Sequence, residues 1–346
     1  MAEAQGVTSF GNINTVYVSI PDTSQTCDNL GLPSLPPTWS YRCRPLADYK
    51  KIDSNGWVPV NFASIISGSP LSILPIDPIN STSSGLYYTY VPGGSWKLTA
   101  MMESEKQAKA MAKDGGPDVG IYEIGTNLNL ANFQRGLAGY WKLDELSGTL
   151  ADSSGNGNNG AQSGGVTYGV TGKVGNALSF DGVDDYVNAS GGSIMVPNGS
   201  TQLIVMAWGY KNTAGGGMIA HQNGPFFLGM GAVIGSAYYE ILTTSGGWRG
   251  VSSNINLQTN KWYHLAIAYD GTNSLIYNYV NGSLDGTGSQ TGGVTPTLIC
   301  IGIGRSTDGG CTGEPGDYFN GLIDEVRIYN RALSGAEIKT IYNATK

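Results

Sequence analysis

The sequence predicts a mainly β protein, in which a small α+β domain (1–136) precedes an antiparallel β-sandwich (137–346). Many short runs of alternating apolar and polar residues, separated by Gly, Asn, Asp and Ser, predict the strands. Helical periodicity is almost absent. Two of these runs, GYWKLDE (139–145) and GLIDEVRIYNRALS (321–334), alternate as half-buried strands. Because the last strand can pair with the first, we expect the second domain to close as a two-sheet sandwich.

The composition favours a protein that works outside the cell. Only 13% of the residues are charged, while the chain contains 52 glycines. This balance is typical of a β-rich extracellular protein rather than of a helical cytosolic enzyme. The formal net charge is −7 and no basic stripe is visible, so we expect no nucleic-acid partner. The same negative charge makes a divalent cation a reasonable partner.

The four cysteines form two local pairs, Cys27 with Cys43 and Cys300 with Cys311. Three connectivities are possible, and buried free thiols are the alternative to bridges. One bridge inside each domain is favoured because each pair lies within one strand-and-loop unit. Such bridges would place the protein outside the cytoplasm.

In the first domain, the runs LYYTYV (86–91) and SWKLTAMM (95–102) alternate on either side of Pro-Gly-Gly and predict a β-hairpin. Residues 103–113 have helix-favouring composition with opposite charges three to four apart, so either a short helix or a charged strand extension fits them. Residues 1–20 are too poor in apolar side chains for a membrane span. The start Met-Ala-Glu-Ala-Gln suggests that a natural N-terminal segment has been removed, and we expect the fragment to be a soluble monomer.

Four segments of this domain occur in a characteristic order: NINTVYVSIPD (12–22), YKKIDSNGWVPVNF (49–62), LPIDPIN (74–80) and GLYYTYVPGGSWKLTA (85–100). Over about residues 8–134 the chain resembles the globular part of a bacterial type IV pilin. In that family a long apolar N-terminal helix, which this sequence lacks, packs in the filament core. The resemblance implies other pilins as partners and a location on the cell surface, in a type IV pilus. It also implies membrane contact only through the missing helix, before assembly.

The second domain carries four further segments in order: FDGVDDYV (180–187), KWYHLAIAYDG (261–271), YVNGSLDG (279–286) and GLIDEVRIYNRALS (321–334). Over about residues 138–346 the chain resembles a LamG-like jelly-roll domain of the concanavalin A-like lectin/glucanase superfamily. The resemblance implies a jelly roll that binds glycans or proteins.

The loop DSSGNGNNG (152–160) is the most polar nonamer of the chain. Asp152, Ser154, Asn156 and Asn158 offer side-chain oxygens at alternate positions, which suits Ca²⁺. An ordinary Asx/Gly turn fits the same residues. LamG-like relatives often hold a structural calcium between this loop and an acidic residue of the closing strand, matched here by Asp324. The predicted metal ligands are therefore Asp152, Asn156, Asn158 and Asp324.

The run FDGVDDYV (180–187) contains a second acidic group, Asp184 and Asp185. It could form another cation site or a sugar-hydroxyl site, but a tight strand connection with carboxylates capping backbone NH groups is favoured.

Glycan binding needs flat apolar faces and planar polar side chains on exposed loops. Candidates come from three stretches: the loop at 221–223, the aromatic pairs near 238 and 248, and the loop around the second cysteine pair. A bridge between Cys300 and Cys311 would stiffen that last loop and lower the cost of ordering it. The candidate residues are His221, Gln222, Asn223, Tyr238, Tyr239, Trp248, Arg249, Arg305, Asp308, Glu314 and Asp317.

The strand KWYHLAIAYDG (261–271) places His264 among alternating apolar residues, so we interpret it as a strand histidine satisfied locally rather than a catalytic base. The dipeptide Asn281-Gly282 predicts a type I′ hairpin turn. Expected core residues are Phe180, Trp208, Leu265, Ile267 and Ile323.

Catalysis is not expected. Retaining glycoside hydrolysis needs two carboxyls about 5–5.5 Å apart, and the sequence contains no Glu-x-Asp-x-Glu run. The pairs in LDE and IDE are adjacent, so their side chains point to opposite faces of a strand. No GxSxG elbow precedes a helix.

Together the two resemblances predict a modular minor pilin that acts as an adhesin, with a glycan-binding lectin module displayed at the tip or surface of a type IV filament. The alternative is a structural or protein-binding module without glycan specificity, and a glycan hydrolase is less favoured. Competition by free sugar separates the first two.

Overall fold

The structure is a computed structural model. It describes residues 10–32, 35, 39–65, 67–93, 95–102, 111, 114, 116, 121–128, 136–154, 156–190, 195–213, 217–231, 236–251, 253–296, 300–308, 311 and 316–346, without the side chain of Ala336. The segment 103–113, for which a helix or a strand extension is predicted, lies outside the described residues apart from Met111. The chain divides into two compact units, Met1–Arg135 (unit 1) and Gly136–Lys346 (unit 2).

Unit 1 is built on a five-stranded sheet in the order β2-β1-β3-β4-β5. Its strands are β1 Thr15–Val18, β2 Ser40–Arg42, β3 Thr89–Pro92, β4 Trp96–Ala100 and β5 Tyr122–Gly125. Strands β1 and β2 are parallel and the other pairs are antiparallel. The predicted hairpin is confirmed as β3–β4. A disulfide joins Cys27 to Cys43 and lies in one of two apolar clusters that flank the sheet.

Unit 2 is an antiparallel β-sandwich of two sheets. One sheet has seven strands in the order β15-β14-β13-β12-β19-β10-β7. The other has eight, in the order β18-β17-β16-β11-β20-β9-β8, with β6 also paired to β20. The strands are β6 Leu137–Trp141, β7 Gly160–Ser163, β8 Thr167–Thr171, β9 Asn176–Asp181, β10 Tyr186–Ala189, β11 Gln202–Lys211, β12 Gly217–Gln222, β13 Phe226–Met230, β14 Ala237–Thr243, β15 Gly247–Gly250, β16 Trp262–Asp270, β17 Leu275–Val280, β18 Ser283–Ser289, β19 Ile301–Ile303 and β20 Asn320–Tyr329.

The main core lies between the two sheets, where alternate side chains of both interdigitate. All five predicted core residues are buried. Four of them, Phe180, Leu265, Ile267 and Ile323, belong to this core. Trp208 is different, because it faces the outer side of the eight-stranded sheet and donates to Oγ1 of Thr345 at 2.9 Å.

The first and last strands of unit 2 pair as predicted: Trp141 lies opposite Val326 and Tyr140 opposite Arg327. The expectation that they are half-buried is wrong, because β6 is buried throughout and β20 nearly so. Polar residues on the outer face form a buried network instead of meeting water. Tyr140 donates to Glu325 at 3.0 Å, and Arg327 donates to the Tyr140 hydroxyl at 2.8 Å and to Glu325.

A C-terminal helix, α1 Gly335–Thr345, covers that outer face and explains the burial. Sequence analysis missed it. Its start is fixed by a capping box in which Glu337 N donates to Ser334 Oγ at 3.2 Å and Ser334 N donates to Glu337 Oε2 at 2.8 Å. Ile338 and Ile341 pack on β11, β16 and β20 in a second apolar cluster. Among the described residues, no helix has the length and hydropathy that crossing a membrane requires.

The interpretation of His264 as locally satisfied is wrong. Its ring is fully buried and neither nitrogen has a hydrogen-bond partner among the described residues. It packs edge-on against Trp208 at 5.4 Å and near Tyr342 of α1 at 6.0 Å. Burial, and secondarily the charge of Arg327, lower its pKa to about 3. The neutral His264 ring therefore packs like an apolar side chain beneath α1.

Two local predictions in unit 2 are confirmed. Asn281 and Gly282 both have positive φ, 51° and 69°, as a type I′ turn between β17 and β18 requires. The second disulfide joins Cys300 to Cys311. Together with the first bridge it gives the protein the disulfide chemistry of an extracellular or secreted chain.

Candidate functional site

Several predicted residues meet on the outer face of the seven-stranded sheet. His221 of β12 lies opposite Phe227 of β13, and Phe227 lies opposite Glu240 of β14. Trp248 of β15 lies opposite Leu242 of β14. Residues directly opposite in an antiparallel sheet share a face, and alternate residues along each strand point the same way. These side chains therefore share the face of the sheet that points away from the core.

Four rings form a continuous surface, which we call the aromatic face: His221, Phe227, Tyr238 and Trp248. His221 stacks on Phe227 with ring centroids 3.9 Å apart and planes 11° apart. Trp248 is tilted against Phe227 at 4.6 Å, and Tyr238 meets the same ring edge-on at 6.4 Å. Phe227 and Trp248 are half-buried, and Tyr238 is 44% exposed. The face therefore offers aromatic surface to solvent.

His221 is the buried end of this face. Its Nδ1 accepts a hydrogen bond from Thr307 N at 2.7 Å, so in the neutral ring the proton lies on Nε2. That Nε2 has no hydrogen-bond partner among the described residues and lies 4.0 Å from Oδ1 of Asp308. Burial lowers the pKa of His221 to about 4, although the charge of Asp308 acts in the opposite direction. His221 is thus uncharged at neutral pH.

Polar groups form the rim beside His221. The Asp308 side chain is 60% exposed, and its Oδ2 accepts from Ser306 Oγ at 2.7 Å. Asn223 donates from Nδ2 to Oδ1 of Asp308 at 3.3 Å, and from its backbone N to Thr307 Oγ1 at 2.9 Å. These bonds hold a carboxylate and an amide in place next to the rings.

A second part of the rim lies near Tyr238. Burial raises the pKa of the Tyr238 hydroxyl to about 12, with further contributions from a hydrogen bond and charge of Glu240 and from the charge of Asp317. Glu240 lies two positions from Tyr238 on β14, so the two side chains face the same side of the sheet. Asp317 is exposed, and Glu240 is partly exposed.

Of the predicted glycan residues, five thus come together here: His221, Asn223, Tyr238, Trp248 and Asp308, with Asp317 at the edge. Phe227, the ring that joins them, was missed. The pair Phe226-Phe227 was the available signal, because in an alternating strand one of two adjacent rings must face outward. Phe226 takes the core position.

Three predicted residues are corrected because they are buried away from the face. Tyr239 lies in the core and donates to the Tyr279 carbonyl at 3.3 Å. Gln222 lies opposite the core residue Phe226 and is buried with it. Arg305 is buried, with its guanidinium 3.8 Å over the ring of Tyr186. None of them offers a surface to a sugar.

The last two predicted glycan-binding residues, Arg249 and Glu314, are not part of the aromatic face. Arg249 lies opposite the core residue Ile241, so its exposed side chain leaves β15 on the other side of the sheet from Trp248. Glu314 lies outside the described residues.

The predicted calcium loop is held by its own hydrogen bonds. Oδ1 of Asp152 accepts from the backbone N of Tyr140 and Ser154, and Oδ2 accepts from Asn158 N, all within 3.0 Å. The amide nitrogens of Asn156 and Asn158 donate to backbone carbonyls, including that of Ala138 at 3.2 Å from both. These bonds are those of an Asx-type turn, the alternative that the sequence leaves open, and a calcium ion held by these residues stays a prediction.

Asp324 is bonded to a different segment. Its Oδ2 accepts from the backbone N of Lys173 and Val174 at 2.8 and 2.9 Å, and its Oδ1 is buried without a hydrogen-bond partner among the described residues. Burial, followed by the charge of Glu325, raises the pKa of Asp324 to about 8. Without a bound cation, the carboxyl group is thus largely protonated at neutral pH.

A group of three carboxylates, Asp181, Asp184 and Asp185, offers ligand atoms within 4.8 Å of one another. Asp181 Oδ1 accepts from Val183 N at 2.8 Å and Asp185 Oδ2 accepts from Asp181 N at 2.9 Å. These are the bonds of the tight strand connection expected for this turn. Two of the three side chains are exposed.

Comparison with known families matches residues 181–339 to Laminin_G_3, of the concanavalin A-like lectin/glucanases superfamily. The part of unit 2 from residue 181 to residue 339 is therefore similar to a concanavalin A-like lectin/glucanase domain. The match spans the strands that build the aromatic face. Comparison with curated protein sequences finds no match.

Solved structures to which the chain is similar include the receptor-binding domain of botulinum neurotoxin C/D mosaic serotype, at 14% identity and a TM-score of 0.45 over 60% of this chain and 51% of that one. The binding domain of Paraclostridial Mosquitocidal Protein 1 has 14% identity and a TM-score of 0.48 over 60% of this chain and 52% of that one. Domain 4 of a GH43 extracellular arabinanase from Geobacillus stearothermophilus, in complex with arabinotriose, has 21% identity and a TM-score of 0.46 over 60% of this chain and 98% of that one. The chain spans about half the length of the two toxin domains. Likeness at this level does not extend to function.

Proposed function

We propose that unit 2 binds a glycan on the aromatic face. The observation that supports this most directly is the combination of three partly exposed rings, Phe227, Tyr238 and Trp248, with Asp308 and Asn223 fixed beside them. The CH-rich faces of sugars pack on aromatic rings, while carboxylate and amide groups bond their hydroxyls. The concanavalin A-like domain supplies a rigid sheet on which these groups are arranged.

The rigidity of the face supports binding without a large ordering cost. Phe227, Tyr238 and Trp248 stand on adjacent paired strands, and the Ser306–Asp308 bond and the Cys300–Cys311 bridge lie on the chain segment that forms the rim. Side chains that are already held lose little conformational entropy when a ligand binds.

We further propose that the protein is a minor pilin that displays this module at the tip or surface of a type IV filament, as an adhesin for host cells or other surfaces. The support is the ordered resemblance of residues 8–134 to the globular part of a type IV pilin. Many copies along a filament, or several filaments on one cell, would convert weak single-site binding into avidity. Antibody labelling of sheared filaments from the encoding organism tests this, and label confined to free protein would contradict it.

Binding rather than hydrolysis is part of the proposal. It rests on the sequence, which contains no Glu-x-Asp-x-Glu run of the kind that would pair two carboxyls on one strand face. Incubating the protein with the oligosaccharides that it binds, followed by chromatography, should return them uncleaved.

The calcium ion implied by the LamG resemblance stays a prediction. In the structure the Asp152 and Asp324 carboxylates accept hydrogen bonds from the backbone of different segments. Thermal melting of the chain with excess Ca²⁺ and then with a chelator tests it directly, because a ligand bound only by the folded state raises the melting temperature.

A glycan array with the whole chain tests the main proposal. Trp248→Ala should weaken binding of any glycan hit at least about tenfold, since a well-placed aromatic contact contributes on the order of 1.5 kcal/mol or more. Trp262→Ala, which removes a half-buried tryptophan from the other sheet, is the matched control and should leave binding unchanged. Binding to cells that free sugar does not compete would favour the protein-binding alternative. Absence of both glycan and cell binding would refute the proposal.

A further inference from the structure

The three partly exposed rings of the aromatic face stand at successive levels along the strands. On β14, Tyr238, Glu240 and Leu242 alternate and therefore point to the same side of the sheet. Phe227 of β13 lies opposite Glu240. Trp248 of β15 lies opposite Leu242. Tyr238 and Trp248 are thus four residues apart along the strand direction, which is about 13 Å at the rise of a β-strand.

Phe227 joins the two outer rings into one surface. Its centroid lies 4.6 Å from that of Trp248 and 6.4 Å from that of Tyr238. The ring planes are tilted by 54° and 63°, so the surface consists of separate facets rather than one flat plate. Because a sugar ring is about as wide as one aromatic side chain, a single sugar covers one or two of these facets but not all three.

The middle level of this surface holds a carboxylate on the open side of the sheet. Glu240 is partly exposed and lies between Phe227 and Gly250 across the strands. A Cβ at position 250 would lie 3.1 Å from Cγ and 3.3 Å from Oε1 of Glu240, so the glycine leaves the space beside this side chain open. β15 is the outermost strand of its sheet, and three of its four residues are exposed. Glu240 can therefore accept hydrogen bonds from the hydroxyls of a sugar that packs on Phe227.

We propose that the aromatic face binds a run of at least two linked sugars within a glycan chain, and not a single terminal sugar. This inference rests on the proposed glycan site and names its ligand class. One sugar packs on the Phe227–Trp248 pair beside Glu240, and the chain continues toward Tyr238. Recognition of a terminal sugar would instead require a concave site that encloses most of the sugar's surface, whereas these rings lie on an open sheet face.

The affinity should increase with chain length until the three rings are covered. Each additional ring contact is expected to tighten binding by a factor of about two to ten. From one sugar to three we therefore expect a gain of about tenfold, with little further gain beyond four units. A longer chain also offers more registers for binding, which raises the affinity without any new contact. The test therefore needs a variant that removes only the outer ring.

The test measures the affinity of the whole chain, by calorimetry, for linear oligomers of one, two, three and six units of glucose, N-acetylglucosamine and arabinose. Tyr238→Ala should leave the affinity for the single sugar unchanged and weaken binding of the trimer about fivefold. Tyr238→Phe keeps the ring and should retain the gain with length. Tyr168→Ala removes a half-buried tyrosine from the other sheet and, as the matched control, should also retain it.

The inference and the glycan site can fail separately. Single sugars that bind as tightly as trimers, or array hits confined to terminal sugars of branched glycans, overturn the inference while a Trp248-dependent glycan site remains. A gain with length that is unchanged in Tyr238→Ala shows that the outer ring is not its cause and also overturns the inference. Binding of none of the three series, together with an empty glycan array, overturns the glycan site itself.

Discussion

Nε2 of His221 lies 4.0 Å from Oδ1 of Asp308, with the imidazole fully buried and the carboxylate largely exposed. The pair joins the interior of the seven-stranded sheet to the rim of the aromatic face. Because the histidine is neutral in the folded protein, this contact is sensitive to acid.

We predict that acid destabilises the protein in part through its two histidines. Their folded pKa values, about 4 for His221 and about 3 for His264, lie below the ordinary value of 6.5. Between those values and 6.5 the unfolded chain binds more protons than the folded one, so stability falls as pH falls from about 6.5 toward 4. Chemical denaturation at several pH values measures this.

The matched variant is His221→Asn, whose amide oxygen can still accept from Thr307 N. It should flatten the loss of stability between pH 6.5 and 4 without abolishing it, because His264 retains its own contribution. An unchanged slope in His221→Asn would show that His221 is not protonated on unfolding in this range.

Asp324 should have the opposite pH dependence. Its folded pKa of about 8 lies above the ordinary 3.8, so the folded state holds a proton that the unfolded state has released. Stability is then lost as pH rises from about 4 through 8. Asp324→Asn resembles the protonated form and should be more stable than the parent at pH 8 to 9, by about 1 kcal/mol or more. A lower stability of Asp324→Asn in this range, measured by denaturant unfolding, would contradict the assignment.

Removing the helix cap should loosen α1. In Ser334→Ala the acceptor of Glu337 N is lost, and we expect about 1 kcal/mol of destabilisation. Ser334→Asp retains a capping oxygen and should restore most of it. Far-ultraviolet circular dichroism together with denaturant melts distinguishes a frayed helix from a global change.

The second disulfide should matter more for the rim than for the core. Cys300→Ser with Cys311→Ser removes the bridge on the segment whose Cys311 carbonyl accepts from Arg305. We expect about 2 kcal/mol of destabilisation from chain entropy, and weaker glycan binding because the rim must then be ordered by the ligand. Full glycan affinity in the double variant would show that the bridge does not organise the rim.

The sequence was sufficient for features that depend on local patterns. The Asn281-Gly282 turn, the hairpin β3–β4, the pairing of β6 with β20 and the buried positions of Leu265 and Ile267 follow from period-two alternation and turn chemistry. Predicting α1 would have required recognising Ser334-x-x-Glu337 as a capping box. That motif begins where the strand-like run 321–334 ends, so Ser334 was assigned to the run and not to a helix cap.

The residues were misassigned for one reason. Alternation along a strand separates its two faces, but it does not show which of the faces is buried by another part of the protein. Tyr238 and Tyr239 are equivalent in the sequence, yet one is exposed and the other lies in the core. Arg305 and Gln222 are polar residues that the tertiary structure buries. Likewise β6 and β20 are half-buried strands by pattern, and only the packing of α1 on their outer face makes them fully buried.

The pairing of the first strand of unit 2 with the last also determines how the sandwich bears load. A pull transmitted along the chain from unit 1 enters through β6, whose ladder to β20 is anchored by Trp141 in the core and by Tyr140 in the Glu325–Arg327 network. The aromatic face lies on the other sheet, away from this entry strand. We therefore expect tension on a tethered copy to break the β6–β20 ladder before it distorts the site, so that mechanical failure and ligand release are separate events in single-molecule pulling.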